Sequence, residues 1–423
     1  MNKLNIKQAV LFWFLSLIIV AICGLIVDDI AAISFNWAVE YIYKSAVPLI
    51  ACSLIVIFMR YVVVDTRYMI SYFLFFAISL TSLFGSTSAL TGSHAESSNF
   101  LLYGLSFYTV SIAYLKYSGQ LENISLVNVS NPLLIITGPI AIYIFDIKHK
   151  RIASRLKYYI PYVILGVFLH QSVAMPLTPT FILINKTDMA SSIAFSVIFE
   201  LFVYANFCGL SLMVYGVAGI VGYRVPLNFR QPFSANNLIE FWKGWHTSLS
   251  MVLKTLFYTP VRKKYGSSLA IITVYLVSAM WHGITLNFLF WGIFHSLMFI
   301  LTLYFLRKKH RILPVLLLPV AIVIGRMLFA DVDTQRVLTK LRFDYVDLSI
   351  LDMLSNVSDI TQLSLILAVA FVTAEFVFQK QRYFRQRTYK FFRIPIIQLV
   401  LLSIVLITIS NRSGVDYAVY GQR

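Results

Sequence analysis

An all-α, polytopic integral membrane protein is what this sequence predicts, with about eleven transmembrane helices and further re-entrant or interfacial helices. Three observations carry that reading. Hydrophobic residues make up 59% of the 423 and charged residues only 13%, with a mean hydropathy of +0.78, so a soluble chain would have too little polar surface to cover its core. Apolar runs of about 20 residues, the length a helix needs to cross a bilayer core, recur along the chain. The net charge of +17 gathers in short loops beside those runs, as the positive-inside rule requires, whereas nucleic-acid binding needs a basic face on a soluble module. No nucleic-acid partner is expected.

Spans are expected near residues 9–27, 46–64, 68–85, 100–115, 158–178, 190–222, 267–281, 284–306, 312–330, 362–378 and 392–410. The amino-terminal apolar region is longer than the roughly 7–15 residues of a cleaved signal, and Ile22-Cys23 offers no small residue for processing, so it reads as the first span. The stretch NPLLIITGPIAIYIF at 131–145 is too short to cross comfortably and carries Gly138-Pro139 at its centre, so it reads as re-entrant or buried in protein. The basic loops at 148–157, 224–264, 307–311 and 380–393 then share one side, while Asp28-Asp29 and the acidic 331–359 connection take the other. That gives a cytoplasmic amino terminus and an external carboxyl terminus. Residues 1–423 read as a single domain with a motif-bearing core at 100–300 and no internal repeat. Cys23, Cys52 and Cys208 lie in apolar runs without metal-ligand spacing, so they read as packing residues and no metal site is expected.

Two tryptophan-histidine pairs carry the chemistry. Trp281-His282 sits in SAMWHGITLNFLFWGIFHS (278–296), between two apolar runs, where an ionisable side chain is expensive and functional by default. Trp245-His246 sits in FWKGWHTSLSMVLKTLFYTPV (241–261), whose aromatic, basic and apolar mixture fits an interfacial segment. Imidazole has the unperturbed pKa nearest the operating pH, so His282 is the candidate base for taking a proton from an attacking hydroxyl. Trp281, Asn287 and backbone N–H groups near Gly283 are candidate donors to a developing oxyanion, Gly283 because it lets other groups approach closely. His246, with Trp242 and Trp245 beside it, is expected either to take part in the chemistry or to shape the passage of the reactants. His295, thirteen residues beyond His282, would face away from it on a continuous helix and reads as a helix contact. Glu200, inside an apolar run, is expected to pair with an intramembrane base such as Arg326.

The run YANFCGLSLMVYGVAGIVGYRVPLNFRQPFSANNLIEFWKGWHTSLS (204–250), followed by WHGITLNFLFWGIFH (281–295), resembles the bacterial membrane-bound O-acyltransferases. Within them it is similar to the branches that acetylate alginate and D-alanylate teichoic acids. GLSFYTVSIAYL (104–115), NPLLIITGPI (131–140), GRMLFAD (325–331) and DYAVYGQR (416–423) extend the likeness in the same order. Two departures stand out. The central block opens on Asn206-Phe207 where the family often has an aspartate, and Lys254-Thr255-Leu256 replaces an Arg-Asp-Tyr triplet.

The resemblance implies acyl transfer in the bacterial cytoplasmic (inner) membrane, with His282 matching the catalytic histidine and His246 the second motif histidine. It implies no bound cofactor. The acyl group would arrive as substrate on a cytoplasmic thioester, acetyl-CoA or an acylated carrier protein, both anionic and suited to a basic face. The expected partners are membrane lipid, that donor, a polysaccharide acceptor, and an external or membrane-anchored acyltransferase. NFLFWGIFH and DYAVYGQR look closer to the alginate type, so acetyl transfer to a cell-surface polysaccharide is the favoured function, with D-alanyl transfer to teichoic acid as the alternative. A different class of function, a transporter or channel with a path lined by His282, Glu200 and His246, is the rival, and no inverted repeat supports it.

Overall fold

The computed structural model describes residues 2–3, 6–26, 119, 128, 131, 133–134, 144–147, 150–183, 188–282, 286–330, 357–380 and 391–410. The spans expected at 46–64, 68–85 and 100–115 lie outside the described residues, as does most of the stretch at 131–145.

The described residues are overwhelmingly helical. Helix α1 runs Ile6–Ile26. Helix α2, Ile152–Val167, continues through a π-helical turn, Phe168–Ala174, and a 3-10 turn, Met175–Leu177. Helix α3, Met189–Val221, is 33 residues long, about 50 Å at 1.5 Å per residue, well beyond a bilayer core of about 30 Å. A chain of short helices follows: α4 (Leu238–Gly244), α5 (Thr247–Leu253), a π-helical turn (Lys254–Tyr258) and α6 (Thr259–Tyr265). Then come α7 (Ser267–His282), α8 (Leu286–Arg307), α9 (Ile312–Ala330), α10 (Asp359–Lys380) and α11 (Pro395–Ser410).

Five segments, Ile152–Leu177, Met189–Val221, Leu286–Arg307, Ile312–Ala330 and Asp359–Val377, are long and apolar enough to cross a membrane, and Ser267–Met280 and Pro395–Ser410 are shorter apolar helices. Their outer faces carry Leu297, Leu301, Leu316, Ile366, Leu399 and Leu406 exposed. Such a surface would aggregate in water and is what hydrocarbon covers.

The ends of α3 are set by local chemistry. Asp188 caps its start, its Oδ1 accepting from the Ala190 and Ser191 N–H groups at 2.8 and 3.1 Å. Gly222, at φ 112, ends it in the left-handed conformation that glycine adopts without penalty. Helices α2 and α3 approach until a Cβ on Gly166 would stand 2.6 Å from the Gly209 carbonyl oxygen, the small-residue contact that lets membrane helices pack backbone to backbone.

The all-α expectation misses one feature, a three-stranded antiparallel patch of two-residue strands. In it β1 (Asn2–Lys3) pairs with β2 (Phe145–Asp146), and β2 pairs with β3 (Tyr223–Arg224). It ties the amino terminus, the approach to α2 and the exit of α3 to one end of the molecule. The two ends of the stretch read as re-entrant are placed as well. Asn131 donates to Ser16 Oγ at 2.8 Å, ten residues into α1, while Phe145 stands opposite Lys3 in the strand pair.

Candidate active site

The short helices α4 to α6 fold against α3, α7, α8 and α9 around a cavity of about 590 Å³. Its position depends on the break between α4 and α5. There Trp245 leaves helical geometry and His246 takes φ 43, an unusual backbone for a residue with a side chain. The break is pinned from outside. Thr247 N–H and Oγ1 donate to the Asn228 and Leu227 carbonyls at 2.8 Å each, and Ser248 Oγ donates to Asn228 Oδ1 at 2.8 Å. Asn237 caps α4 by accepting from Glu240 N–H at 3.0 Å, and Glu240 Oε2 accepts from the N–H of Asn236, the residue before the cap. Trp245 is thereby packed among Tyr204, Phe229 and Phe241, and His246 lines the cavity. Burial pushes the His246 imidazole down to about 4, so it is neutral at ordinary pH.

His282, the last residue of α7, lines the same cavity. Its ring packs against Phe329 at 4.7 Å between centroids, Trp291 at 5.8 Å and Phe288 at 5.9 Å. Both motif histidines thus open on one chamber. Trp242 and Trp245 line it too, and Asn287 is buried but is not among the lining residues. Gly283 and the side chain of Trp281 lie outside the described residues.

His295 departs from expectation. On one continuous helix it would face away from His282, but α7 ends at His282 and α8 begins at Leu286, and His295 lines the cavity with His282. Trp291 stands between them, 4.9 Å from the His295 ring. His295 is stacked on Tyr275 with Trp242 edge-on at 5.4 Å. Its Nε2 occupies the space a side chain at Gly325 would need, 2.1 Å from an ideal Cβ there. The sequence signal for this was available in the break that a WHG motif puts between two apolar runs.

Glu200 on α3 pairs with Arg326 on α9, as expected, through Oε2 and Nε. Glu200 Oε1, Asn206 Oδ1, Trp242 Nε1 and His295 Nδ1 are buried without a hydrogen-bond partner among the described residues, and all four side chains line the cavity. Unsatisfied polar atoms clustered on one chamber mark a place built for something polar to enter. No group of three or more potential ligands for a metal ion occurs among the described residues.

The chamber can bring an imidazole base, aromatic walls and polar contacts to bear on one reactant. The profile of the membrane-bound O-acyltransferase family matches residues 18–312, a stretch that includes both tryptophan-histidine pairs. The chain is similar to the peptidoglycan O-acetyltransferase of Helicobacter pylori, 31% identical over 120 residues, which are 26% of this chain and 23% of that protein. It is also similar to the teichoic acid D-alanyltransferase of Streptococcus thermophilus, 34% identical over 125 residues, 27% of this chain and 30% of that protein. A third relative is the probable alginate O-acetylase of Pseudomonas syringae pv. tomato, 32% identical over 98 residues, 22% of this chain and 19% of that protein. Each match spans less than a third of the relative's length. With the profile covering well over half of its residues, the chain belongs to the membrane-bound O-acyltransferase family.

Proposed function

We propose that the protein is an O-acyltransferase that takes an acetyl group from a cytoplasmic thioester and passes it on for modification of a cell-surface polysaccharide. The observation that carries this reading is the meeting of His282 and His246 in one cavity, one from the end of α7 and the other from the α4–α5 break. His282 removes the hydroxyl proton as the acceptor oxygen attacks the thioester carbonyl carbon, and returns it to the leaving thiolate. His246, neutral and fixed at the α4–α5 break, shapes the entry of the donor, and Trp242 and Trp245 form part of its walls.

The charge of the lining supports acetyl over D-alanyl. Four cations, Lys243, Lys254, Arg262 and Arg326, line the cavity, against a single carboxylate, Glu200, which Arg326 already engages. An ammonium-bearing acyl group would meet a net positive surface, whereas an acetyl group carries no charge and the anionic arm of either donor is attracted. D-alanyl transfer, which the Streptococcus thermophilus relative is named for, is the alternative. The transporter reading has no support from the family.

About eleven spans, a cytoplasmic amino terminus and a place in the bacterial inner membrane complete the reading. The strand patch supports its side assignment by joining the amino terminus to the flanks of the basic 148–157 and 224–264 loops. Purified protein given labelled acetyl thioester and an oligosaccharide acceptor should release free thiol, and His282→Ala should lose about a hundred- to ten-thousandfold of that rate while remaining folded. A well-folded His282→Ala protein with near-normal turnover would remove His282 from the chemistry.

A further inference from the structure

Arg326 enters the reading above only as one of four cations on the cavity lining. It lies within α9, a helix of the spanning type, four residues before its end at Ala330, and an arginine inside such a segment is a functional candidate by default. Among the described residues its hydrogen bonding ends with Nε, which donates to Glu200 Oε2, so neither Nη group has a protein acceptor. The guanidinium lies 5.0 Å from the centroid of Phe329, and that same ring lies 4.7 Å from His282. The base and the cation therefore contact the same phenyl ring and line the same chamber.

Acyl transfer from a thioester needs two things in this geometry. A base must take the hydroxyl proton, and donors must meet the carbonyl oxygen as it gains negative charge. Trp281, Asn287 and the backbone near Gly283 were the sequence candidates for the second task. Asn287 is not among the cavity-lining residues, whereas Arg326 is. A guanidinium held through Nε presents its two Nη groups as a fork, and charge-assisted hydrogen bonds of that kind are roughly twice as strong as neutral ones.

We propose that Arg326, oriented by Glu200, is a catalytic residue that stabilises the oxyanion formed when an acceptor hydroxyl attacks the acyl thioester beside His282. This rests on the acyl-transfer reading. His282 accepts the hydroxyl proton, the new C–O bond forms as the carbonyl π pair moves onto oxygen, and the Nη groups donate to that oxygen. Collapse restores the carbonyl, breaks the C–S bond with its pair on sulfur, and the thiolate takes the proton from His282.

The test uses full-length protein in lipid nanodiscs, S-acetyl-4′-phosphopantetheine, which carries the arm common to both donors, and a glucose oligosaccharide as the source of the acceptor hydroxyl, with thiol release as the readout. The double variant Glu200→Gln with Arg326→Gln removes both charges, so no buried charge is orphaned, and Arg326→Lys keeps the charge without the fork. We expect kcat to fall about a hundred- to thousandfold in the double variant, and less in Arg326→Lys, with KM changed by no more than about threefold. Binding of the uncleavable ketone S-acetonylpantetheine should be unaltered, because that ligand carries no developing charge. A raised KM with kcat preserved, or weakened ketone binding, would make Arg326 a ground-state contact and overturn the proposal. Release that depends on His282 but is indifferent to both Arg326 variants overturns this proposal alone. Absence of thioester turnover in the unaltered protein overturns the acyl-transfer reading and this one with it.

Discussion

His246 shows how much a single position decides. Its positive φ puts a kink between two seven-residue helices, and its burial holds the imidazole at about 4, well below the ordinary value near 6.5. An unfolded chain therefore takes up the proton first. The stabilising effect of keeping this histidine neutral is complete above about pH 6.5 and is lost as pH falls toward 4, because the unfolded state binds the extra proton over that window. His246→Asn retains a residue that tolerates left-handed backbone and removes the titrating group. Melting temperature measured between pH 7 and 4 should fall less steeply for His246→Asn than for the unaltered protein, and parallel slopes would remove His246 as the cause. That histidines 246 and 282 belong to one site was legible in the sequence because each lies in an unusual aromatic and apolar setting. The burial of His246 was not, since it depends on Asn228 and Leu227 holding the kink from a segment about 20 residues upstream.

At the scale of elements, the contact between α8 and α9 carries the most strain-sensitive packing. Gly325→Ala would place a methyl group 2.1 Å from His295 Nε2, on a ring already confined by Tyr275, Trp242 and Trp291. We expect it to destabilise the protein by about 1–3 kcal/mol and to reduce thioester turnover through displacement of Trp291, the ring between His295 and His282. Unchanged stability and turnover would show that α9 can shift freely. At the far end of α3, Asp188→Ala removes the acceptor for two N–H groups and should cost about 1 kcal/mol in denaturation while leaving turnover per folded molecule intact. A loss much above that would mean Asp188 supports more than the cap. Helix limits were legible wherever an apolar run ends in charge or glycine: α9 spans the residues expected, and α3 ends within one residue of expectation at Gly222. His295 is the helix contact expected, against Tyr275 and Gly325, but the break between α7 and α8 also turns it onto the chamber of His282. A 100° step per residue predicts faces only along an unbroken axis.

At the scale of the whole molecule, orientation and chemistry make one claim. Strand pairing joins residues 2–3, 145–146 and 223–224, a tertiary contact that hydropathy could not foresee because six residues in three places carry no periodic signal. Single-cysteine labelling should place Lys150, Arg262 and Lys308 on the cytoplasmic side, and finding Lys150 and Lys308 on opposite faces would overturn the re-entrant reading of 131–145. On the proposed function the chamber around His282 takes its acyl group from the cytoplasmic side and delivers it onward. Sealed vesicles holding the protein in one known orientation, supplied externally with S-[14C]acetyl thioester, test it most directly. When the cytoplasmic face is outward, thiol release that His282→Ala abolishes is expected; with that face inward, the thioester should remain intact. Equal consumption in both orientations, or consumption that survives His282→Ala, would contradict it.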